Sequence, residues 1–369
     1  MDIGTYLHDY LENYSPYKDY WNYEDGCVLT GCACLYQASG DARCRRFVLD
    51  YLERYVRDDG LIPNYEMAQY NIDSINSGKA LFFAGQHSDA LKWRKAIEFI
   101  MRRLCEHPRC DNGSFWHKGI YPRQVWLDGL YMALPFYMAY EMRFGGMARI
   151  SDIMLQFENA RRCLFDETKK LSYHAWDESR QQPWADKESG CSANFWLRSM
   201  GWYLMAMADC LDIIDEQLFE QKMRLQELFG EAVRGLLAYR NQEGLFYQVI
   251  DKPELPGNYS ETSGSAMVAY AVMKGARIRA LHPEKYAPIG RAIFDALTAQ
   301  KLVKGDKGTR LKDICLVAGL GGKDRRDGSA AYYLSEPVVS DDAKGVGPFM
   351  MAYAEALMQD APKGGSWLE

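Results

Sequence analysis

The chain has 369 residues, 48% of them hydrophobic, and a formal net charge of −6. The length suits one large toroid or two to three ordinary domains, and it allows a sizeable core. An acidic balance argues against wholesale binding to nucleic acid or to anionic membrane. No run approaches the roughly 18 apolar residues that a membrane span needs. The first thirty residues carry neither the basic start nor the long apolar stretch of an export signal. A cytoplasmic protein with no membrane and no nucleic-acid partner is therefore expected. With no linker or low-complexity segment, one domain over 1–369 is expected.

Taken in chain order, the sequence alternates between two kinds of helical pattern. An amphipathic helix is expected at about Asp2–Tyr14. An apolar run follows from Gly31. Charged amphipathic helices are then expected at Asp41–Val56, His87–Cys105, Ile150–Leu164, Glu216–Tyr239 and Glu284–Leu302. In the first of these, Phe47, Leu49, Leu52 and Tyr55 oppose Arg45, Arg46, Asp50 and Glu53 at three- and four-residue spacing. Further apolar runs begin at Gly78, Gly129, Gly201, Gly264 and Gly347, each read as following a loop that ends in the glycine. Gly244–Ile250 reads as one arm of a short hairpin. The stretch 304–346 reads as a long loop that shapes one mouth of the fold.

A helix that is apolar all round must be buried. Six such helices alternating with six half-polar ones close most simply as an inner ring wrapped by an outer ring. The expected fold is all-α, an (α/α)6 barrel. In such a ring, function belongs to the loops at the mouth where inner helices begin.

Several chemistry-bearing residues fall in those loops: Asp73, His117, Lys118, Asp128, His174, Trp196, Arg198 and Trp202. Each has a plainer reading as well. An Asp ahead of an apolar run caps a helix, a loop His is often merely hydrogen-bonded, and Trp is more often core than platform. Their convergence on one mouth favours a site. The ten cysteines are scattered without a CxxC pair, and Cys32 and Cys34 point to different sides of a helix. They read as free thiols rather than metal ligands, and disulfides are not expected.

The ordered set Trp126-Leu127-Asp128-Gly129-Leu130-Tyr131-Met132-Ala133, Trp196-x-Arg198-x-x-Gly201-Trp202, Glu261-Thr262-Ser263-Gly264-Ser265-Ala266 and Gly345-x-Gly347-Pro348-Phe349 resembles the unsaturated rhamnogalacturonyl hydrolases of glycoside hydrolase family 105. The likeness runs from Trp21-Asn22-Tyr23 to about Glu355. Family 88, the unsaturated glucuronyl hydrolases, is related. The resemblance implies a metal-free, cofactor-free (α/α)6 hydrolase. Its substrate is a small acidic oligosaccharide ending in a 4,5-unsaturated uronic acid. The resemblance also implies Asp128 as general acid/base, and Tyr23, Asp73, His117, Lys118, His174, Trp196, Arg198 and Trp202 as substrate-binding.

In this reading Asp73 is the neighbouring carboxylate of Asp128, Arg198 and His174 hold the substrate carboxylate, and Trp196 and Trp202 stack on sugar faces. The alternatives are a family 88-like enzyme acting on glycosaminoglycan disaccharides, an epimerase or hydrolase of saturated glycans, and a non-catalytic sugar-binding toroid. The oligomeric state is not read from the sequence.

Overall fold

The computed structural model describes residues 2–65, 70–88, 91–305, 308–322 and 326–361. Its helices, in chain order, are α1 (Ile3–Glu12), α2 (Tyr23–Ser39), α3 (Ala42–Tyr55), α4 (Lys79–His87), α5 (Leu91–Cys105), α6 (Leu127–Tyr140), α7 (Ile150–Leu164), α8 (Leu197–Ile213), α9 (Phe219–Leu237), α10 (Thr262–Arg277), α11 (Pro283–Lys301), α12 (Ala330–Ser335) and α13 (Ala343–Asp360). A 3-10 helix, Ile72–Gly78, leads into α4.

The apolar helices form a closed ring. Helix α2 packs on the 3-10 helix and α4, the 3-10 helix packs on α6, α6 on α8, α8 on α10, α10 on α13, and α13 returns to α2. Helices α3, α5, α7, α9 and α11 each pack outside the inner helix that precedes them. Helix α1 completes the outer ring against α13, where Tyr6 meets the edge of Phe349 with ring centroids 6.4 Å apart. This is the (α/α)6 barrel that the alternation predicts. Burial follows the division: α8 is buried from Leu197 through Leu211 and α10 from Thr262 through Ala276. By contrast α3 buries only Cys44, Val48, Tyr51 and Leu52.

The glycines need a correction. Gly78 does stand just ahead of α4, but the others sit inside the inner helices: α6 starts two residues before Gly129, α8 four before Gly201 and α13 four before Gly347. The reason is close approach between neighbours. A Cβ on Gly347 would lie 2.4 Å from the Cys27 carbonyl oxygen of α2, and one on Gly264 would lie 2.4 Å from Leu197 Cγ of α8. A side chain at either position would push two inner helices apart. His87 is also reassigned, because it ends α4, and the following outer helix begins at Leu91.

The short strands pair antiparallel: β1 (Gln124–Trp126) with β4 (Ala175–Asp177), β2 (Phe165–Asp166) with β3 (Leu171–Ser172), β5 (Leu302–Gly305) with β6 (Gly308–Leu311), and β7 (Ile314–Cys315) with β8 (Val338–Val339). The expected arm at Gly244–Ile250 makes only single bridges, Val249 to Trp196 and Tyr247 to Ser260. The 304–346 stretch is more than a loop, since it holds a hairpin, the β7–β8 pair and α12. No helix among the described residues is long and apolar enough to cross a membrane.

Candidate active site

The inner helices start at one end of the ring, and their first turns carry the candidate residues. Asn22 caps α2, Asn71 caps the 3-10 helix, Glu261 caps α10 and Asp342 caps α13, each accepting a backbone N–H. Helices α6 and α8 differ, because Trp126 and Trp196 stand at the cap position and make no side-chain cap bond. Asp128 lies in the first turn of α6, so helix capping does not occupy its carboxylate.

Two backbone pairings bring distant loops to Asp128. The β1–β4 register sets Trp126 opposite Ala175, and Leu127 N–H donates to the His174 carbonyl at 3.1 Å. His174 therefore stands beside Asp128, with Nε2 at 3.3 Å from Oδ2. Its other ring nitrogen, Nδ1, is 2.8 Å from the Tyr333 hydroxyl. With the hydroxyl donating to Nδ1, the ring proton sits on Nε2 and faces Asp128. The His174 ring is fully buried against Trp196, centroids 4.7 Å apart, and the edge of Trp126.

The second pairing joins Asn71 to Lys118, and Ile72 N–H donates to the His117 carbonyl at 3.2 Å. Asp73 is thereby fixed beside both residues. Its Oδ2 is 2.7 Å from Lys118 Nζ and its Oδ1 is 3.8 Å from His117 Nε2. Burial alone would raise the Asp73 pKa, but Lys118 and then His117 overcome it and hold the carboxyl below its ordinary value. Burial also works against the Lys118 charge, and Asp73 reverses that, lifting the lysine above its ordinary value. Asp73 thus enters the site as an ionised carboxylate. His117 reaches over the start of α6: a Cβ on Gly129 would lie 3.4 Å from its Nδ1. Its ring stacks on Trp126 at 4.3 Å, and Tyr121 stacks on the same indole at 5.2 Å. Tyr23 opens α2 at the same mouth.

Among the described residues, Asp128 Oδ2, Asp73 Oδ1, His174 Nε2 and His117 Nδ1 are buried without a well-formed hydrogen bond. Unpaired buried polar atoms are costly in a native fold. Four of them belong to the candidate residues at this mouth, where a polar ligand could satisfy them.

Three expected residues are placed differently from the reading above. Arg198 is buried and tied inward: Nε donates to Ser263 Oγ at 2.8 Å, Nη2 to the Cys315 carbonyl, and Nη1 to the Leu316 carbonyl at 3.5 Å. Glu261 Oε1 lies 3.8 Å from Nη2. Arg198 clamps α8 to α10 and to the 315–316 backbone at the end of β7 rather than standing open at the mouth. Trp202 is stacked on Tyr131 at 4.8 Å within the barrel core, one turn too deep to offer a sugar its face. Trp196 packs against both Tyr333 and His174, with centroids 6.0 and 4.7 Å away, and its Nε1 is bonded to Gln248. These two indoles support the site walls rather than present free platforms.

Sequence reasoning missed Tyr333, which reaches His174 from 159 residues away, and Gln248, which ties Trp196 to the Tyr333 backbone. Neither lies near a recognisable motif. The only hint was the unassigned segment that holds Tyr333.

The buried histidines make stability depend on pH. Burial pushes both His117 and His107 down to about 4. The unfolded chain takes up these protons near pH 6.5, while the folded chain stays neutral to about 4. The unfolded state therefore binds more protons across that window, and stability falls as pH drops through it. Going from pH 7 to 5 is expected to cost about 2 kcal/mol per histidine. Urea midpoints at the two pH values check this. His107→Gln should shrink the acid-induced loss, and an unchanged loss would contradict the burial argument.

Comparison with known proteins identifies the family. The family model described as Glycosyl Hydrolase Family 88 matches residues 5–359. A family 105 glycoside hydrolase of C. acetobutylicum ATCC 824 has a solved structure that superposes with a TM-score of 0.91 at 38% identity, covering 96% of this chain and 99% of that one. A 24.9 kDa protein in the picA locus of Rhizobium radiobacter is 44% identical over 233 residues, 62% of this chain and 99% of its own length. Unsaturated rhamnogalacturonyl hydrolase YesR of Bacillus subtilis (strain 168) is 25% identical over 283 residues, 75% of this chain and 76% of its own. The chain belongs to the glycoside hydrolases of families 88 and 105, the unsaturated glycoside hydrolases.

Proposed function

We propose that this protein releases a 4,5-unsaturated uronic acid from lyase-generated rhamnogalacturonan disaccharide, with Asp128 as its general acid and base. The observation that carries the reading is the Asp128–His174–Tyr333 contact opposite the Asp73–Lys118 pair. One carboxyl group has an oxygen without a well-formed hydrogen bond, and a second, Asp73, is held ionised by Lys118 at the same mouth. The relationship to YesR, named for rhamnogalacturonan products, favours rhamnose as the sugar released. A small acidic oligosaccharide as the only partner and a cytoplasmic location belong to the same reading.

The chemistry uses one carboxyl group twice. In the substrate, the C4=C5 bond is a vinyl ether conjugated to the C6 carboxylate. Protonated Asp128 gives its proton to C4, and the π electrons form the new C–H bond. Positive charge develops at C5 and is shared with the ring oxygen. The Asp128 carboxylate then takes a proton from water as the water oxygen bonds to C5. The proton on Asp128 is restored, and a hemiketal is formed. The hemiketal opens, and the resulting hemiacetal at C1 expels the aglycone. No second carboxylate has to attack the anomeric carbon, unlike the usual glycosidase pair.

His174, held by Tyr333, orients the Asp128 carboxyl. Lys118, paired with Asp73, supplies a cation for the uronate. Tyr23 contributes a hydroxyl at the rim. Arg198, Trp196 and Trp202 act by holding α8, His174 and the core in place.

The test is direct. Lyase-generated disaccharides from rhamnogalacturonan and from chondroitin are supplied side by side, with loss of ultraviolet absorbance and released sugar both followed. The expected result is consumption of the rhamnogalacturonan product at least tenfold faster. Faster consumption of the chondroitin product would move the activity to the glucuronyl type.

A further inference from the structure

The pocket that adjoins Asp73 is not used by the chemistry above. It has a volume of about 430 Å³ and is lined by Lys18, Tyr20, Tyr23, Glu24, Asn64 and Asp73, among others. That volume falls within the range of small-ligand clefts, ~300–1,000 Å³. Glu24 lies in the first turn of α2 and is 5% exposed. Its Oε1 is paired with Lys18 Nζ at 2.8 Å, while its Oε2 is buried with no hydrogen-bond partner. Among the described residues Asp73 Oδ1, which borders the same pocket, is in the same condition. Two buried carboxylate oxygens without donors border one polar cavity.

The two sides of the site are unequal. The rings of Tyr333, Trp196 and Trp126 pack around His174, whereas Asp73 borders an open pocket. Placing the terminal uronic acid on the His174 side directs the sugar attached to it into that pocket. Among the described residues the pocket is bordered by three carboxylates, Asp19, Glu24 and Asp73, with Lys18 paired to Glu24 and Lys118 to Asp73, so the lining keeps a net negative charge. That balance suits an uncharged, hydroxyl-rich ring that donates hydrogen bonds, and it repels sulfate. Tyr20, 45% exposed, offers a flat apolar face at the rim, suited to the apolar face of such a ring.

We propose that Glu24 is a specificity-determining residue: its Oε2 accepts a hydroxyl of the neutral sugar on the leaving side, and Lys18 holds the carboxylate in place. The proposal rests on the exo-acting unsaturated hydrolase reading. It does not rest on Asp128 being the acid. A hydrogen bond to a charged acceptor contributes enough for a tenfold or larger change in affinity.

The test compares two ligands in Glu24→Ala and Glu24→Gln. One is the lyase-generated rhamnogalacturonan disaccharide. The other is the methyl glycoside of the same unsaturated uronic acid, which has no sugar to reach the pocket. For the disaccharide, Glu24→Ala is expected to raise KM about tenfold or more with kcat little changed, and Glu24→Gln to raise it less. For the methyl glycoside, both variants are expected to stay within twofold of the parent. Equal losses on both ligands, or no loss on either, overturn the proposal.

Binding of both ligands is also measured by calorimetry, with and without Asp128→Asn. If the parent consumes neither ligand, the proposed activity fails, while the ratio of the two Kd values still reads the Glu24 contact. If the parent binds neither, both proposals fall.

Discussion

Asp128→Asn is expected to lower turnover of the unsaturated disaccharide by at least 10²–10⁴-fold, the usual contribution of a positioned acid–base group. The loss belongs at the upper end, because the same carboxyl serves both proton transfers and the amide can do neither. The substitution preserves shape, and Asp128 makes no cap bond whose loss would weaken α6. Its Oδ2 has no well-formed protein hydrogen bond to lose. The urea midpoint and the disaccharide Kd are therefore expected to stay close to those of the parent. Single-turnover rates, calorimetry and denaturation together separate the cases. A variant that keeps more than about a tenth of the activity, against the range expected for acid–base catalysis, removes Asp128 from the proposed role.

Arg198→Ala is expected to cost stability first and activity only as a consequence. The guanidinium and the Glu261 carboxylate are both buried, at 2% and 0% exposure, and the arginine also carries bonds to Ser263 and to the carbonyls of 315 and 316. Removing one partner strands the other charge in the interior, which costs about 3–5 kcal/mol. The strand at 314–315 would lose its anchor to α8, and with it the support for the segment that holds Tyr333 over His174. Denaturation should show a large fall in the urea midpoint, with affinity for the disaccharide retained in the fraction that stays folded. If instead stability is unchanged and only substrate affinity falls, Arg198 holds the uronate directly and the inward clamp is not its main role.

The fold was legible because its signal is repeated. Six apolar helices and six amphipathic ones can satisfy their burial in few ways, so even rough boundaries identify the ring. Helix starts were less legible. Glycine was read as punctuation, whereas Gly264 and Gly347 are small so that inner helices can touch. Residues anchored in the first turns of inner helices or in the loops paired to them, such as Asp73, Asp128 and His174, were visible as motifs. Their neighbours from elsewhere were not. Tyr333 and Gln248 reach the site only through the folded 304–346 stretch and single backbone bridges, which leave no periodic pattern. Glu24 was hidden for another reason: an acidic residue in a helix first turn is ordinary. Only its burial and its unpartnered oxygen mark it. Arg198 and Trp202 carried the right chemistry for a sugar site, and sequence holds no information on depth. The structure turns both inward.

The central claim is that the double bond, not the anomeric carbon, is the point of attack. The most direct measurement gives the protein two disaccharides identical except that one has its C4=C5 bond reduced. The unsaturated compound is expected to lose its ultraviolet absorbance as sugar is released, and the saturated one to stay untouched even at long incubation. Release of sugar from both at comparable rates would contradict it, because a saturated ring offers Asp128 no carbon to protonate.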